Sequence, residues 1–429
     1  MPRILYLHAQ RTTFIMRGMK RAYEALLKEY LSLFPCVGIV GARQTGKTTL
    51  LETLPEEWKR IDLERLSDLE SLSRDPDLFL RLNPAKVAID EAQMLPAVFA
   101  ALRVAIDADR ETPGRFVITG SSSPKLLKSI SESLAGRIAI IEMSPLLWAE
   151  IHPFEEGEGD SALTIAARRE ARAADVLDAA PPRGTLQEAH DYWFRGGYPE
   201  PWLKATERFR LPWMEQYVNA YIYRDVARLF PGLDLPKFRQ LLGMLAGLSG
   251  SVLNYSDVAR TLGVSQPTVR DYFEIADGTF LWRRIASYER NVMKRIVKHP
   301  KGYMRDSGLL HYLSRVPDVS ALLAHPQMGN SWEGMVIEEI IRQLKAAGCG
   351  FDYYYYRTAA GAEIDLVLEG DFGLLPVEIK YTQSVDGRSL RALRDFVCEH
   401  GCRMGLVINN DEAPRLYEEN IVGVPFNWL

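Results

Sequence analysis

A chain of 429 residues is too long for one ordinary domain, so two or three are expected. Apolar content of 47% and charged content of 25% are those of a globular protein with ample core material and no need of disulfides. A formal net charge of −4 excludes a uniformly basic nucleic-acid coat but leaves room for a local basic face.

Residues 1–16 read as a flexible lead-in, with Arg3 and Arg11 but no apolar stretch ahead of a cleavage site, and Met16 is a candidate natural start. Residues 17–33 have the spacing of an amphipathic helix with Leu26, Leu27, Tyr30 and Leu31 on its apolar side. Short apolar runs follow at Cys36–Val40, Lys86–Asp90, Arg115–Thr119 and Arg137–Glu142, separated by helical segments. That alternation predicts a doubly wound parallel sheet. Residues 154–185 are polar, end in Pro181-Pro182, and read as an insertion or surface helix. A helical stretch from about Trp202 to Gly247 leads to a helix-turn-helix pattern at 254–278, then a basic segment, then strands again. No apolar run approaches the roughly 20 residues that span a bilayer, so no membrane partner is expected. Cys36, Cys349, Cys398 and Cys402 lack the spacing of a disulfide framework, which points to a reducing cytoplasm. Cys398, His400 and Cys402 are close in sequence but read as ordinary helix positions, because no fourth ligand is evident.

The sequence Gly41-Ala42-Arg43-Gln44-Thr45-Gly46-Lys47-Thr48, followed by Thr49, is a phosphate-binding loop between a strand and a helix. Its glycines let the backbone wrap phosphate oxygens, and successive N–H groups supply positive potential. Lys47 is expected at the β- and γ-phosphates of ATP, and Thr48 on Mg²⁺. Val87-Ala88-Ile89-Asp90-Glu91 is an apolar strand ending in two carboxylates. Asp90 suits the Mg²⁺ shell and Glu91 suits a general base that polarises the attacking water. Thr119, at the end of Phe116-Val117-Ile118, is placed to sense the γ-phosphate. One more strand fits between the loop and Asp90, at Lys59–Leu63, as additional-strand ATPases call for. Arg137 is a candidate for an arginine finger and Arg224, next to Asp225, a second one, with a salt bridge as the ordinary alternative.

Tyr255 to Gly263 reads as a glycine-closed helix, Val264-Ser265 as the turn, and Ser265 as the cap of a second helix carrying Pro267 in its first turn. Gln266, Thr268 and Arg270 then face a DNA major groove. Phe280 to Ile285 reads as a wing, and Arg283, Arg284, Arg290, Lys294, Arg295, Lys298 and Lys301 form a basic run with Trp282 and Tyr288 interleaved. The bland reading is a module kept for packing or protein contact.

Near the C-terminus, Glu363 and Asp365 share one face of a strand, and Glu378 and Lys380 share one face of the next. A tight turn at Gly370–Gly373 sets Asp365 opposite Glu378, with Cβ atoms roughly 5 Å apart. Carboxylates that close call for a cation, with Lys380 beside it. Glu333, or Glu338 further along the same helix, completes the site. This is a nuclease-like arrangement whose retained cleavage is a separate matter.

Together these stretches resemble the bacterial and archaeal AAA-type ATPases whose C-terminal half is a domain of unknown function. The matching residues are Gly41–Thr49, Ile89-Asp90-Glu91-Ala92-Gln93, Leu134 to Arg137, Gly196 to Pro199, Tyr223-Arg224-Asp225, Ser265–Val269, Lys301 to Leu309, Trp332-Glu333, and Asp365 to Lys380. The resemblance implies an α/β architecture: an AAA-like P-loop parallel-sheet domain over 17–205, a helical linker and winged helix over 206–300, and a restriction-endonuclease-like PD-(D/E)XK module over 301–429. It implies a Mg²⁺-dependent ATPase with a DNA-related role, and leaves the oligomeric state open. A nucleotide-dependent switch or scaffold for protein partners, with a vestigial nuclease fold, is the alternative.

Overall fold

The computed structural model describes residues 19–121, 130, 132–154, 159–204, 206–289, 299–358 and 361–429. The lead-in, Ser122, and Arg290, Lys294, Arg295 and Lys298 of the basic run lie outside them. The described chain divides into two compact units.

The first unit holds residues up to Leu146 with two short later segments, Tyr198–Ala205 and Gly278–Phe280. The apolar runs become β1 (Cys36–Gly41), β2 (Lys59–Asp62), β3 (Val87–Asp90), β4 (Phe116–Ser121) and β5 (Ile138–Glu142). They form one sheet in the order β2-β3-β4-β1-β5, with every neighbouring pair parallel. β1 is buried at every position, as a strand covered on both faces must be. Val40, Leu63, Ile89, Leu102 and Ile118 are among the side chains of its core. The extra strand expected at Lys59–Leu63 forms, but at the sheet edge. The strand lying between β1 and the acidic strand β3 is β4. Chain order does not reveal this, because parallel crossovers can skip a neighbour.

The second unit comprises Leu147–Gly197, Thr206–Asp277 and Leu281–Leu429. Residues 147–197 therefore pack with the C-terminal half, not within a first domain reaching 205. Trp148 shows why: its backbone N–H donates to Glu339 Oε1 at 2.8 Å and its ring lies 5.6 Å from Phe426. The strands are β6 (Ser251–Val252), β7 (Trp282–Ser287), β8 (Lys301–Met304), β9 (Phe351–Arg357), β10 (Glu363–Gly370), β11 (Gly373–Ile379), β12 (Gly405–Asn409), β13 (Arg415–Glu418) and β14 (Ile421–Pro425). They form a single sheet in the order β13-β14-β12-β11-β10-β9-β7-β8-β6.

The helix pair read from the sequence forms at Tyr255–Leu262 and Gln266–Gly278. Asn254 caps the first helix and Gly263, at φ 64°, closes it. Ser265 Oγ accepts from Thr268 N at 3.2 Å, capping the second. The expected wing does not stand free. β7 pairs with β8 on one side and with β9 on the other, so its residues are interior to the sheet. No helix among the described residues is long and apolar enough to cross a membrane.

Candidate functional site

In the first unit the phosphate loop leaves the end of β1 and enters a helix at Lys47–Glu52. Gly46 turns the chain at φ 97°, and Gln44 sits at φ 59°, a left-handed conformation uncommon for a residue with a Cβ. A Cβ on Gly41 would fall 2.1 Å from the carbonyl oxygen of Met143, so only glycine fits where the loop passes the end of β5. Lys47 is buried and its Nζ donates to the carbonyls of Gly41 at 3.0 Å and Ala42 at 2.8 Å. Thr45 ties the loop internally, its hydroxyl donating to Ala42 O at 3.0 Å. Arg43 lies 3.7 Å from Glu64, Gln44 is exposed, and Thr49 is half-buried on the helix.

Asp90 ends β3 and is buried. Thr48 Oγ1 donates to its Oδ2 at 2.7 Å, and Thr119 Oγ1, from β4, donates to its Oδ1. Burial holds the Asp90 carboxyl above the ordinary range, against the lowering effect of those two hydroxyls. A cation in place of the donors would remove that penalty. Thr48, Asp90 and Thr119 are thus brought together from three separate stretches of chain. Glu91 follows in the left-handed region at φ 54°; its N–H donates to Asp90 Oδ1 at 3.1 Å and Thr119 Oγ1 at 3.2 Å. Its carboxylate accepts from Gln93 Nε2.

Two residues of this site were given no role from the sequence. Gln93 orients Glu91 from two residues away, and its place in the Asp90–Gln93 motif was the available signal. Arg21 is buried and braces the loop from behind, with Nη1 2.5 Å from Thr45 O and Nη2 2.9 Å from Ser144 O. No local pattern distinguishes Arg21 from its basic neighbours. Arg137, the finger candidate, is held bidentately by Asp107 at 2.8 and 2.9 Å and has no contact with the loop among the described residues. Arg137, then Arg110, pull the Asp107 carboxyl down to about 2. Arg224 lies in a π-helical turn, Tyr221–Val226, of the second unit.

In the second unit the β10–β11 hairpin turns at Gly370 and Gly373, and its register runs through Leu366 opposite Val377. Continued by one pair, it brings Asp365 level with Glu378, as alternation required. Asp365 Oδ2 accepts from Ile379 N at 2.8 Å, and Lys380 Nζ lies 2.6 Å from Glu378 Oε1. Glu333 projects from the helix Met328–Ala346. Its Oε1 accepts from Lys301 Nζ at 2.7 Å and from Tyr303 Oη, while Lys301 also donates to Glu363 Oε1 at 2.8 Å. Burial, then Glu333 and Glu378, raise the Asp365 carboxyl well above its usual range; burial likewise raises Glu378. Among the described residues no group of three potential ligands stands in metal-binding geometry, including Cys398, His400 and Cys402. His400 instead stacks on Phe396, with ring centroids 4.1 Å apart. Glu338, the alternative helix carboxylate, is committed elsewhere.

The DNA-contact residues fare differently from one another. Gln266 and Thr268 are half-buried and Arg270 is exposed, its guanidinium 5.1 Å from the Tyr255 ring. Arg283 is 3% exposed and pairs with Glu338, which Arg305 at 3.4 Å and Arg342 at 3.0 Å also contact. Tyr353 Oη accepts from Arg283 Nη1 at 2.8 Å. Arg283 therefore does not face a duplex: it packs against Glu338 of the long helix and Tyr353 of β9. Arg284 points the other way but is held by Glu274 at 2.6 Å and Asp277 at 2.9 Å.

Three family models match the chain: an AAA domain over residues 34–152, a domain of unknown function (DUF8612) over 186–320, and a domain of unknown function (DUF4143) over 328–429. The uncharacterized protein Rv2008c of Mycobacterium tuberculosis is 34% identical over 414 residues, which is 96% of this chain and 84% of that protein. The uncharacterized protein Mb2031c of Mycobacterium bovis matches to the same extent, 34% over 414 residues. Among solved structures, the Walker-type ATPase PABY2304 of Pyrococcus abyssi aligns at 16% identity over 68% of this chain and 94% of that one, with a TM-score of 0.41. The chain, with its AAA domain built around the loop at 41–48, belongs to the family of the mycobacterial proteins Rv2008c and Mb2031c.

Proposed function

We propose that the protein binds and hydrolyses ATP in its first unit, and uses the nucleotide state to control a C-terminal unit, with winged-helix and nuclease-like modules, that engages DNA. One observation carries the ATPase reading: Thr48 and Asp90, 42 residues apart in sequence, meet at 2.7 Å. A hydroxyl and a carboxylate are the hard oxygen donors that Mg²⁺ takes alongside phosphate oxygens, so these two residues would hold it. When bound, Mg²⁺ neutralises charge on the β- and γ-phosphates. Lys47 exchanges its carbonyl partners at Gly41 and Ala42 for phosphate oxygens. Glu91, steadied by Gln93, accepts a proton from the attacking water, and Thr119 reports the γ-phosphate to Asp90. Arg137 acts as a finger only after leaving Asp107, or toward a neighbouring copy.

The test is ATP turnover by the purified protein, with and without single-stranded, duplex and branched DNA. Lys47→Ala and Glu91→Gln should each lower turnover by about 100-fold or more. Unchanged turnover in both, or no heat on titration with Mg·ATP, refutes the ATPase reading. Stimulation by one DNA form supports the DNA role.

A second reading is a nucleotide-dependent switch or scaffold for protein partners. It is favoured by the burial of Arg283 and by the lysines already pairing with Glu333, Glu363 and Glu378. Cleavage of DNA with Mg²⁺ or Mn²⁺ that is lost in Asp365→Ala and Glu378→Ala refutes it; absence of cleavage by the wild type supports it.

A further inference from the structure

Arg21 stands just ahead of the helix Tyr23–Leu33 and is buried. Its guanidinium joins two distant stretches of the first unit. Nη1 donates to Thr45 O, inside the phosphate loop, at 2.5 Å, while Nη2 donates to Ser144 O at 2.9 Å and Pro145 O at 3.4 Å. Tyr23 fastens the same helix to Ser144 independently: its Oη donates to Ser144 Oγ at 2.9 Å and accepts from Ser144 N at 3.1 Å. Residues 144–145 follow β5, and the preceding Met143 supplies the carbonyl that leaves room only for glycine at position 41. Arg21 therefore pins the phosphate loop to the chain just beyond β5.

A loop that wraps an anion turns N–H groups toward it and carbonyl oxygens away from it, and buried carbonyls need donors of their own. Gly41 O and Ala42 O have the Lys47 ammonium, a donor that is withdrawn once it takes phosphate oxygens. Thr45 O is held from outside the loop, by Arg21, and that hold does not depend on Lys47. The Thr45–Gly46 peptide is trans and planar, so Thr45 O and the Gly46 N–H point in opposite directions. Fixing the oxygen on Arg21 fixes the direction of the Gly46 N–H, at the residue where the loop turns with φ 97°. A charged donor on the oxygen also polarises the peptide and strengthens its N–H as a donor.

We propose that Arg21 is a positioning residue for the nucleotide: by holding Thr45 O it aims the Gly46 N–H at a phosphate oxygen. The inference rests on the ATPase reading and adds to it a residue that touches no nucleotide yet sets how tightly the loop holds phosphate. The aimed N–H serves the bound nucleotide and the transition state alike, so Arg21 acts on affinity and not on the chemical step.

The experiment is calorimetric titration of the full-length protein with Mg·ATP, beside turnover at saturating Mg·ATP, for the wild type, Arg21→Met, Arg21→Lys and Tyr23→Phe. Arg21→Met should weaken Mg·ATP binding by about tenfold or more, while turnover at saturation changes by less than about threefold. Arg21→Lys, which keeps the charge and a donor for Thr45 O but loses the planar fork, should fall between Arg21→Met and the wild type. Tyr23→Phe loosens the same helix from Ser144 without touching Thr45 O, so its affinity should match the wild type. A role confined to packing would lower the melting temperature or the fraction of protein that binds, and leave the affinity of the folded fraction unchanged. Equal affinity in the wild type and Arg21→Met, or equal weakening in Arg21→Met and Tyr23→Phe, overturns the inference and leaves the ATPase reading standing. No heat from the wild type overturns the ATPase reading and the inference with it. Should circular dichroism show Arg21→Met to be unfolded, Arg21→Lys decides: it should bind about threefold or more weakly than the wild type, and equal affinity overturns the inference.

Discussion

Replacing Arg283 tests whether this arginine is a DNA contact or a structural ion. Its guanidinium grips Glu338 with two nitrogens and Tyr353 with a third, and Glu338 itself is 2% exposed. Against the raising effect of burial, Arg283, Arg305 and Arg342 pull the Glu338 carboxyl down to about 2. Removing one partner of a buried pair costs about 3–5 kcal/mol when the other is left alone. Arg305 and Arg342 remain after Arg283→Ala, so the lower end, about 3 kcal/mol, is expected. Glu338→Gln should cost more, about 4–5 kcal/mol, because it leaves three buried guanidiniums with no shared counter-charge. For a unit of this size each kcal/mol moves the melting temperature by about 2–4 °C, so Arg283→Ala should lower it by about 6–12 °C. Arg284→Ala, which breaks surface pairs, should move it by no more than about 2 °C. Differential scanning calorimetry of the full chain reads all three. An Arg283→Ala protein that melts with the wild type and yet loses salt-sensitive DNA binding refutes the structural assignment.

Gln93→Ala removes the amide that holds the Glu91 carboxylate, so turnover should fall by about tenfold with nucleotide affinity unchanged. Equal loss in affinity and turnover, read by calorimetry beside the ATPase assay, counts against this positioning role. His311 is buried between Phe194 O, 3.0 Å from Nδ1, and Ser331 Oγ, 2.7 Å from Nε2. Burial depresses its imidazole from 6.5 to about 4. The unfolded chain therefore takes up this proton first as pH falls. Stability is full above pH 6.5 and is lost between there and pH 4, by about 3 kcal/mol. Denaturant titrations should show this loss in the wild type and a flatter profile in His311→Gln; parallel profiles contradict it.

Much of the candidate site was legible because its signals are local. A glycine-rich turn between a strand and a helix is set by a few adjacent residues, and a hydrophobic strand ending in Asp90-Glu91 declares its polar tip. The β10–β11 register could be counted from the turn at Gly370–Gly373, since a period of two residues admits one alignment. The cap at Ser265 and the closure at Gly263 were local in the same sense.

What the sequence by itself determined is therefore which residues share a face of their own strand or helix. The tertiary structure alone decided what covers each face. It inserted β4 rather than β2 beside the phosphate-loop strand, buried Arg283 against Glu338, and drew residues 147–197 into the second unit. It also brought Lys301 to Glu333 and Glu363, and Arg21 to the back of the loop. The reason is physical: periodicity and turn chemistry act over a few residues, whereas an ion pair or a sheet neighbour is chosen by packing among segments distant in the chain. A charged side chain carries no local mark of whether its partner will be water or a buried carboxylate.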